Sequence, residues 1–164
     1  MENNGFHSGD ILSIKGLGRE IEIDIRGEEP SAEYVDKCVK LLTEMPEDMR
    51  MKIYESAKKY CLFFIDLCRE AAGDKFDPAD FPPVTKDTPA EKMRRYFNIY
   101  TAGIVVPDDG SIPAIDLSGG CIWEPEHGIE ICILGSEVVY LGAFEGRSPT
   151  DSFDPDDEWN FAND

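Results

Sequence analysis

The spacing of apolar residues changes once along this chain of 164 residues, and the change limits the folds open to it. Between residues 31 and 95 apolar side chains recur every three or four positions, as on one face of an α-helix. From residue 96 to 144 they alternate with polar residues, as in a β-strand. Helical runs followed by a run of strands are typical of an α+β domain, which is the fold class we expect.

The strand-like segment predicts a four-stranded antiparallel meander. Isoleucine alternates with glutamate and cysteine in residues 129–133, a turn with Gly135 follows, and residues 138–144 return. Ahead of them, residues 97–107 and 112–117 predict two further strands joined by a turn at Asp108-Asp109-Gly110. The pair Gly119-Gly120 predicts a bulge or kink.

The first half predicts a hairpin and then helices. Residues 1–30 contain the alternating Ile21, Ile23 and Ile25, with an earlier short strand and a glycine turn. Ser31 is a good N-cap for a helix to about Thr43. A second helix is expected from residue 46 to Gly73, and a short third one ends at about residue 95, after a proline-rich loop.

We expect residues 1–164 to form one domain, divided into the hairpin 1–30, the helical part 31–95, the meander 96–144 and an acidic tail 145–164. The sheet is expected to combine antiparallel strands from both ends of the chain, with two or three central helices packed on one face. Three aromatic residues of the tail can pin it to the body: Phe153, Trp159 and Phe161.

The formal net charge of −18 is concentrated in the C-terminal part, where residues 98–164 contain 14 acidic residues and Arg147 as the only Lys or Arg. Such a surface repels nucleic acid and anionic membranes and attracts basic proteins. The predicted partner is therefore a protein, for which a basic protein is the candidate, and neither nucleic acid nor membrane. The alternative is that the charge serves solubility only, in an accessory or structural subunit.

The five cysteines are widely spaced and form no C-x-x-C pair, so buried, reduced thiols are expected. No apolar run is long enough for a membrane span, and the N-terminal residues lack the features of a signal peptide. The sequence thus predicts a cytoplasmic location.

The segment CIWEPEHGIE, residues 121–130, is the strongest candidate for a functional site. Glu124, Glu126 and His127 could bind a metal ion or a small ligand in an enzyme, but no second Cys or His stands at ligand spacing. A turn in which the histidine has a structural role is favoured. We predict no catalytic residues, no metal and no cofactor, and hence no enzyme.

Residues 121–130, with GSEVVYLG at 135–142, resemble a hairpin of bacterial families of unknown function. Their pattern has a tryptophan, an acidic residue, any residue, then E-H-G and isoleucine or leucine. Some proteins of this broad type are immunity-like proteins encoded beside polymorphic toxins. The resemblance covers about residues 96–144, implies a small α+β domain, and assigns a structural turn to Trp123, His127 and Gly128. It carries over no catalytic residues.

The leading hypothesis is a protein-binding module, and its more specific form is an immunity protein that neutralises a toxin by steric and electrostatic occlusion. The alternatives are a ligand- or metal-dependent enzyme at the Glu124/Glu126/His127 turn and an accessory subunit. The candidate binding residues are one possible aromatic anchor, Trp159, and eight carboxylates: Asp108, Asp109, Glu124, Glu126, Glu137, Asp154, Asp156 and Asp157.

Overall fold

The computed structural model describes residues 5–28, 30–107 and 112–164, which form an α+β fold with one six-stranded sheet. The strands follow one another across the sheet in sequence order. Their bounds are β1 Ile11–Ile14, β2 Gly18–Arg26, β3 Phe97–Val105, β4 Ala114–Cys121, β5 Ile129–Leu134 and β6 Glu137–Gly142. The hairpin β1–β2 and the meander β3–β6 are both antiparallel, as predicted. The turn predicted at 108–110 lies outside the described residues.

The sheet is mixed, which corrects the expectation of a wholly antiparallel one. Strands β2 and β3 pair in parallel, with Ile23 opposite Ala102 and Ile25 opposite Ile104. The helices α1 (Ala32–Thr43) and α2 (Glu47–Ala72) lie between these strands in sequence. A connection of this length can return the chain to the end of the sheet where β2 began, so the next strand runs in the same direction.

Local signals account for the helix ends. The hydroxyl of Ser31 accepts a hydrogen bond from the Tyr34 N–H at 3.1 Å and caps α1. Pro46 precedes α2 at the cap position, and Gly73 ends it with φ of 56°. The third predicted helix is a 3₁₀ helix, Ala90–Arg95, which leads directly into β3.

The main core lies between the helices and one face of the sheet, where Tyr60 and Trp123 are among the largest fully buried side chains. The other face carries Asp116, Glu130 and Cys132, all fully buried as well. They are covered because the tail packs over this face: the backbone N–H groups of residues 145 and 147 donate to the Glu130 carboxylate at 3.1 Å.

The tail also covers β6, at the edge of the sheet. The backbone N–H of Phe161 donates to the Leu141 carbonyl, and the Asn160 side chain accepts from the Leu141 N–H. The three tail aromatics make ring contacts: Phe153 with Tyr140, Trp159 with Phe63, and Phe161 with Tyr60 and Phe63. The β6 edge of the sheet is thereby protected against pairing with another chain.

All five cysteines are free, and four of them are buried, as predicted. None of the helices in the described part of the chain has the length and apolar character that a bilayer span requires.

Candidate functional site

The connection between β4 and β5 is organised by the carboxylate of Glu124, which is only 5% exposed. Its two oxygens accept hydrogen bonds from the backbone N–H groups of Glu126, at 3.0 Å, and His127, at 3.1 Å. Nδ1 of His127 lies 2.6 Å from the second of these oxygens. Glu124 therefore holds the turn together. The sequence had suggested that its carboxylate is open to a partner, but both oxygens accept hydrogen bonds within the turn.

Gly128 fixes the end of this turn. Its φ is +71°, and a Cβ built on it would lie 2.3 Å from the carbonyl oxygen of Gly119. Its own carbonyl accepts a hydrogen bond of 3.0 Å from the Tyr60 hydroxyl. Trp123, 1% exposed, packs edge-to-face against the same tyrosine with ring centroids 5.3 Å apart. These contacts tie the turn to α2.

The turn forms one wall of a cleft of about 390 Å³, which we call the acidic cleft. The exposed aromatic rings of Phe144 and Trp159 lie in it, 47% and 46% exposed. Glu145 also lines it and forms an ion pair with Arg147 at 2.7 Å. The full lining is Tyr60, Phe64, Glu124, His127, Ala143, Phe144, Glu145 and Trp159.

The candidate binding residues do not share one face. Glu126 is exposed beside the acidic cleft, whereas Glu137 is exposed at the far end of β5, about 20 Å away by strand length. In the tail, the side chains of Asp154 and Asp157 accept hydrogen bonds from the backbone two residues on, and Asp156 is exposed. Asp108 and Asp109 lie outside the described residues. Of the set, Trp159 and Glu124 line the acidic cleft.

Cys121 is the thiol nearest the turn in sequence, and it is not set up as a nucleophile. Its Sγ donates to the Glu124 carbonyl at 3.5 Å. Burial raises the pKa of this thiol to about 12, so the reactive thiolate is disfavoured at neutral pH.

Among the residues that the structure describes, one group of side chains is a candidate position for a metal ion. One ligand atom each from Glu124, Glu126 and His127 lies within 4.8 Å of the others. Carboxylate oxygen and imidazole nitrogen are both ordinary zinc ligands, so the donor set fits such an ion. Both Glu124 oxygens already accept hydrogen bonds from the turn, which leaves each oxygen a reduced capacity to coordinate.

Sequence reasoning missed a buried polar cluster on the tail-covered face of the sheet. Asp116 Oδ2 accepts from Arg26 Nη1 at 2.7 Å, and Cys132 Sγ lies 3.7 Å from the other Asp116 oxygen. Burial, and secondarily the nearby Asp116 carboxyl, raises the pKa of Glu130 to about 7. The alternation of residues 129–133 predicts a strand with its isoleucines on one face, but it does not show that Glu130, on the other face, is buried. No local signal shows that residues 143–157 return to cover it.

Comparison with known proteins gives a family and no function. A family model described as a domain of unknown function (DUF6985) matches residues 1–148. The match includes the β1–β2 hairpin and both helices. It therefore extends well beyond residues 121–142, on which the resemblance noted in the sequence was based. No curated protein and no solved structure matches the chain. The chain belongs to the DUF6985 family.

Proposed function

We propose that this member of the DUF6985 family is a protein-binding module whose acidic cleft receives a basic, partly apolar segment of a partner protein. One observation carries the proposal: Phe144 and Trp159, both about half exposed, line the same cleft as Glu145, whose carboxylate side chain is 49% exposed. Exposed aromatic residues gathered at a concave site are typical of binding surfaces, where tryptophan often contributes most of the energy.

The chemistry of the acidic cleft suits a lysine or arginine side chain. The aliphatic stem of such a residue can pack on the rings of Phe64 and Phe144, while its cation interacts with the face of Trp159. Glu126 and Glu145, both exposed, supply negative charge at the rim. A neutral apolar segment could use the rings, but only a basic segment uses the carboxylates as well.

The more specific form of the proposal is that the partner is a basic toxin and that this chain neutralises it as an immunity protein. Two features support it: the resemblance of residues 121–130 and 135–142 to a hairpin of bacterial families of unknown function, a broad type that includes some immunity-like proteins, and the 14 acidic residues against one arginine in residues 98–164. Negative potential over this part of the surface accelerates association with a basic protein, and occlusion of the toxin's active surface then blocks it.

The test is capture of partners from a lysate of the source organism on the tagged protein, at low and high salt, read by mass spectrometry. The cleft variant is Phe144→Ala/Trp159→Ala. The matched control is Tyr100→Ala/Ile122→Ala, which removes two side chains that are 54% and 57% exposed and lie outside the acidic cleft. We expect the wild type and the control to enrich the same basic protein, and the cleft variant to lose it.

High salt should also weaken this capture, because screening reduces attraction between exposed charges. Equal capture by the cleft variant would contradict the proposal, as would capture that the control loses instead. If the wild type enriches no basic protein at low salt, the acidic cleft has no such partner in that lysate and the proposal fails. If the captured protein is a toxin, adding this chain should inhibit its activity, and the cleft variant should inhibit it less.

A second candidate function, metal binding at the β4–β5 turn, is favoured by the three ligand atoms that lie within 4.8 Å of one another. Three protein ligands and an open fourth position are the composition of a catalytic zinc site, so an enzyme is the corresponding alternative. Calorimetric titration with zinc tests it. Stoichiometric binding that His127→Ala abolishes and His7→Ala, at the other histidine, retains would favour this function over the first.

A further inference from the structure

A second cleft lies at the N-terminal end of α2 and has the opposite charge. Two adjoining depressions of about 420 and 770 Å³ share the lining residues Lys15, Gly16, Arg94 and Arg95. They form where the β1–β2 turn, the start of α2 and the 3₁₀ helix Ala90–Arg95 meet. We call them together the basic cleft. Its cationic lining residues are Lys15, Arg19, Arg50, Lys92, Arg94 and Arg95.

The charge of the basic cleft is unusual for this chain. Six of the 16 Lys and Arg residues line it, against two carboxylates, Glu47 and Glu91, although the chain as a whole carries −18. The sequence shows only the short basic run from Lys92 to Arg95. The fold adds three cations from elsewhere in the chain, and the site exists only in the folded state.

Most of these cations have no anionic partner in the part of the chain that the structure describes. Within residues 5–28, 30–107 and 112–164, Arg50 is the one member with an ion pair, to Glu47 at 3.1 Å. Nε of the same arginine is buried and has no hydrogen-bond acceptor among those residues. A buried guanidinium N–H without an acceptor is costly, and an anion in the cleft would lower that cost.

We propose that the basic cleft binds a compact, multiply charged anion that carries phosphate groups. Arginine pairs well with phosphate oxygens through two parallel N–H donors, and Arg94 and Arg95 are both exposed here. Each of the two depressions, about 420 and 770 Å³, has a volume within the range of small-molecule sites. An anion confined to the cleft lies mainly within its local positive potential, since charges are screened beyond about 8 Å at physiological salt.

An extended nucleic acid fits less well. A strand that runs past the basic cleft would meet the acidic surface of a chain with 34 Asp and Glu residues. Strand binding requires a positive groove that follows the backbone over several nucleotides, and the six cations are confined to one end of the fold. Compactness is therefore the property that separates the proposed ligand from RNA or DNA.

Calorimetric titration of the full chain with inorganic tripolyphosphate tests the proposal. The variant Arg94→Gln/Arg95→Gln removes two exposed cations of the basic cleft. Lys75→Gln/Lys86→Gln removes the same charge from exposed positions outside it. We expect saturable binding of one tripolyphosphate per chain, weakened about tenfold or more by the arginine variant and by less than about twofold by the lysine variant.

Several results would overturn the proposal. One is the absence of saturable binding by the wild type, and another is an equal loss in both variants, which would indicate unspecific attraction. Tighter binding of a single-stranded RNA of about 20 nucleotides than of tripolyphosphate would assign the cleft to nucleic acid instead. Thermal unfolding of each variant without ligand shows whether the fold is retained, and Lys15→Gln supplies an independent change if the arginine variant does not fold.

Discussion

The two clefts are attached to α2 by the same kind of contact but have opposite charge. At the basic cleft, the Tyr54 hydroxyl donates to the carbonyl of Gly16 at 2.9 Å, and at the acidic cleft the Tyr60 hydroxyl donates to the carbonyl of Gly128 at 3.0 Å. The two tyrosines are six positions apart, about 9 Å along the helix. Each glycine has a positive φ, +82° and +71°.

The difference lies in the segments that each contact brings to the helix. Tyr54 holds the β1–β2 turn, which brings Lys15, and Arg19 at the start of β2, next to the 3₁₀ helix. Tyr60 holds the β4–β5 turn, from the part of the chain where Arg147 is the only Lys or Arg. The same contact, from a tyrosine hydroxyl to a glycine carbonyl, thus occurs at both sites, and the charge of each site depends on the segment that the contact attaches to α2.

Replacement of the two glycines should affect stability most, and unequally. In Gly128→Ala the new Cβ meets a backbone carbonyl at 2.3 Å, whereas in Gly16→Ala it meets the Tyr54 hydroxyl, the end of a side chain, at 2.1 Å. We expect losses of about 4 and about 2 kcal/mol in the free energy of unfolding, measured with denaturant. Gly27→Ala is the control, since its φ is +83° with no atom within 4 Å of the Cβ.

The control should lose about 1 kcal/mol, the cost of the backbone conformation alone. If Gly16→Ala is as destabilising as Gly128→Ala, the Tyr54 side chain is held as rigidly as the backbone, and the two attachments are equivalent.

The pH dependence of the free energy of unfolding should reflect a buried carboxyl beside the acidic cleft and not the basic cleft. Glu130 accepts the N–H of Glu145, which lines the acidic cleft, and its pKa is raised to about 7, first by burial and then by Asp116. Arg26 forms an ion pair with Asp116 at 2.7 Å, whereas Glu130 has no cationic partner within 4 Å among the described residues. Since its pKa in the folded state exceeds the unfolded value, this carboxyl makes stability fall as pH rises from about 4.5 to 7.

The fall should be on the order of 3 kcal/mol. Denaturant unfolding between pH 5 and pH 8 should show that Glu130→Gln loses this part of the slope, because a neutral amide keeps the acceptor oxygen and cannot ionise. Glu126→Gln, an exposed carboxylate on the adjoining turn, should keep the slope of the wild type. An unchanged slope in Glu130→Gln would mean that its proton is not linked to folding in this range.

Local periodicity predicted most of the fold and little of the sites. A strand with alternating residues, such as 129–133, and a helix cap, such as Ser31, are each determined by a few neighbouring residues. Hairpins and helix starts can therefore be predicted from short stretches of sequence. The parallel pairing of β2 with β3 depends on how two helices pack between them. No short stretch of sequence contains that information.

The acidic and basic clefts could not be predicted from the sequence for the same physical reason. The basic cleft gathers Lys15, Arg50 and Arg94 from three distant segments, and the acidic cleft joins α2 to the tail. Two carboxylates are buried where the sequence shows no sign of it: Glu124, a candidate binding residue, supports a turn, and Glu130 lies under the tail. Charge counts indicated that an acidic region exists, but not which of its carboxylates are free to meet a partner.

Removal of the two tyrosine hydroxyls, one at a time, should have the smallest effect on stability and compares the two contacts directly. Tyr60→Phe removes the donor to the carbonyl of Gly128, a buried residue, so this oxygen loses its partner without gaining water, at about 1–2 kcal/mol. Tyr54→Phe frees the carbonyl of Gly16, which lines the open basic cleft and can bind water, so the loss should stay below about 1 kcal/mol. Denaturant unfolding at one pH measures both. A larger loss for Tyr54→Phe would mean that the attachment at the basic cleft, not the one at the acidic cleft, is the more important for the fold.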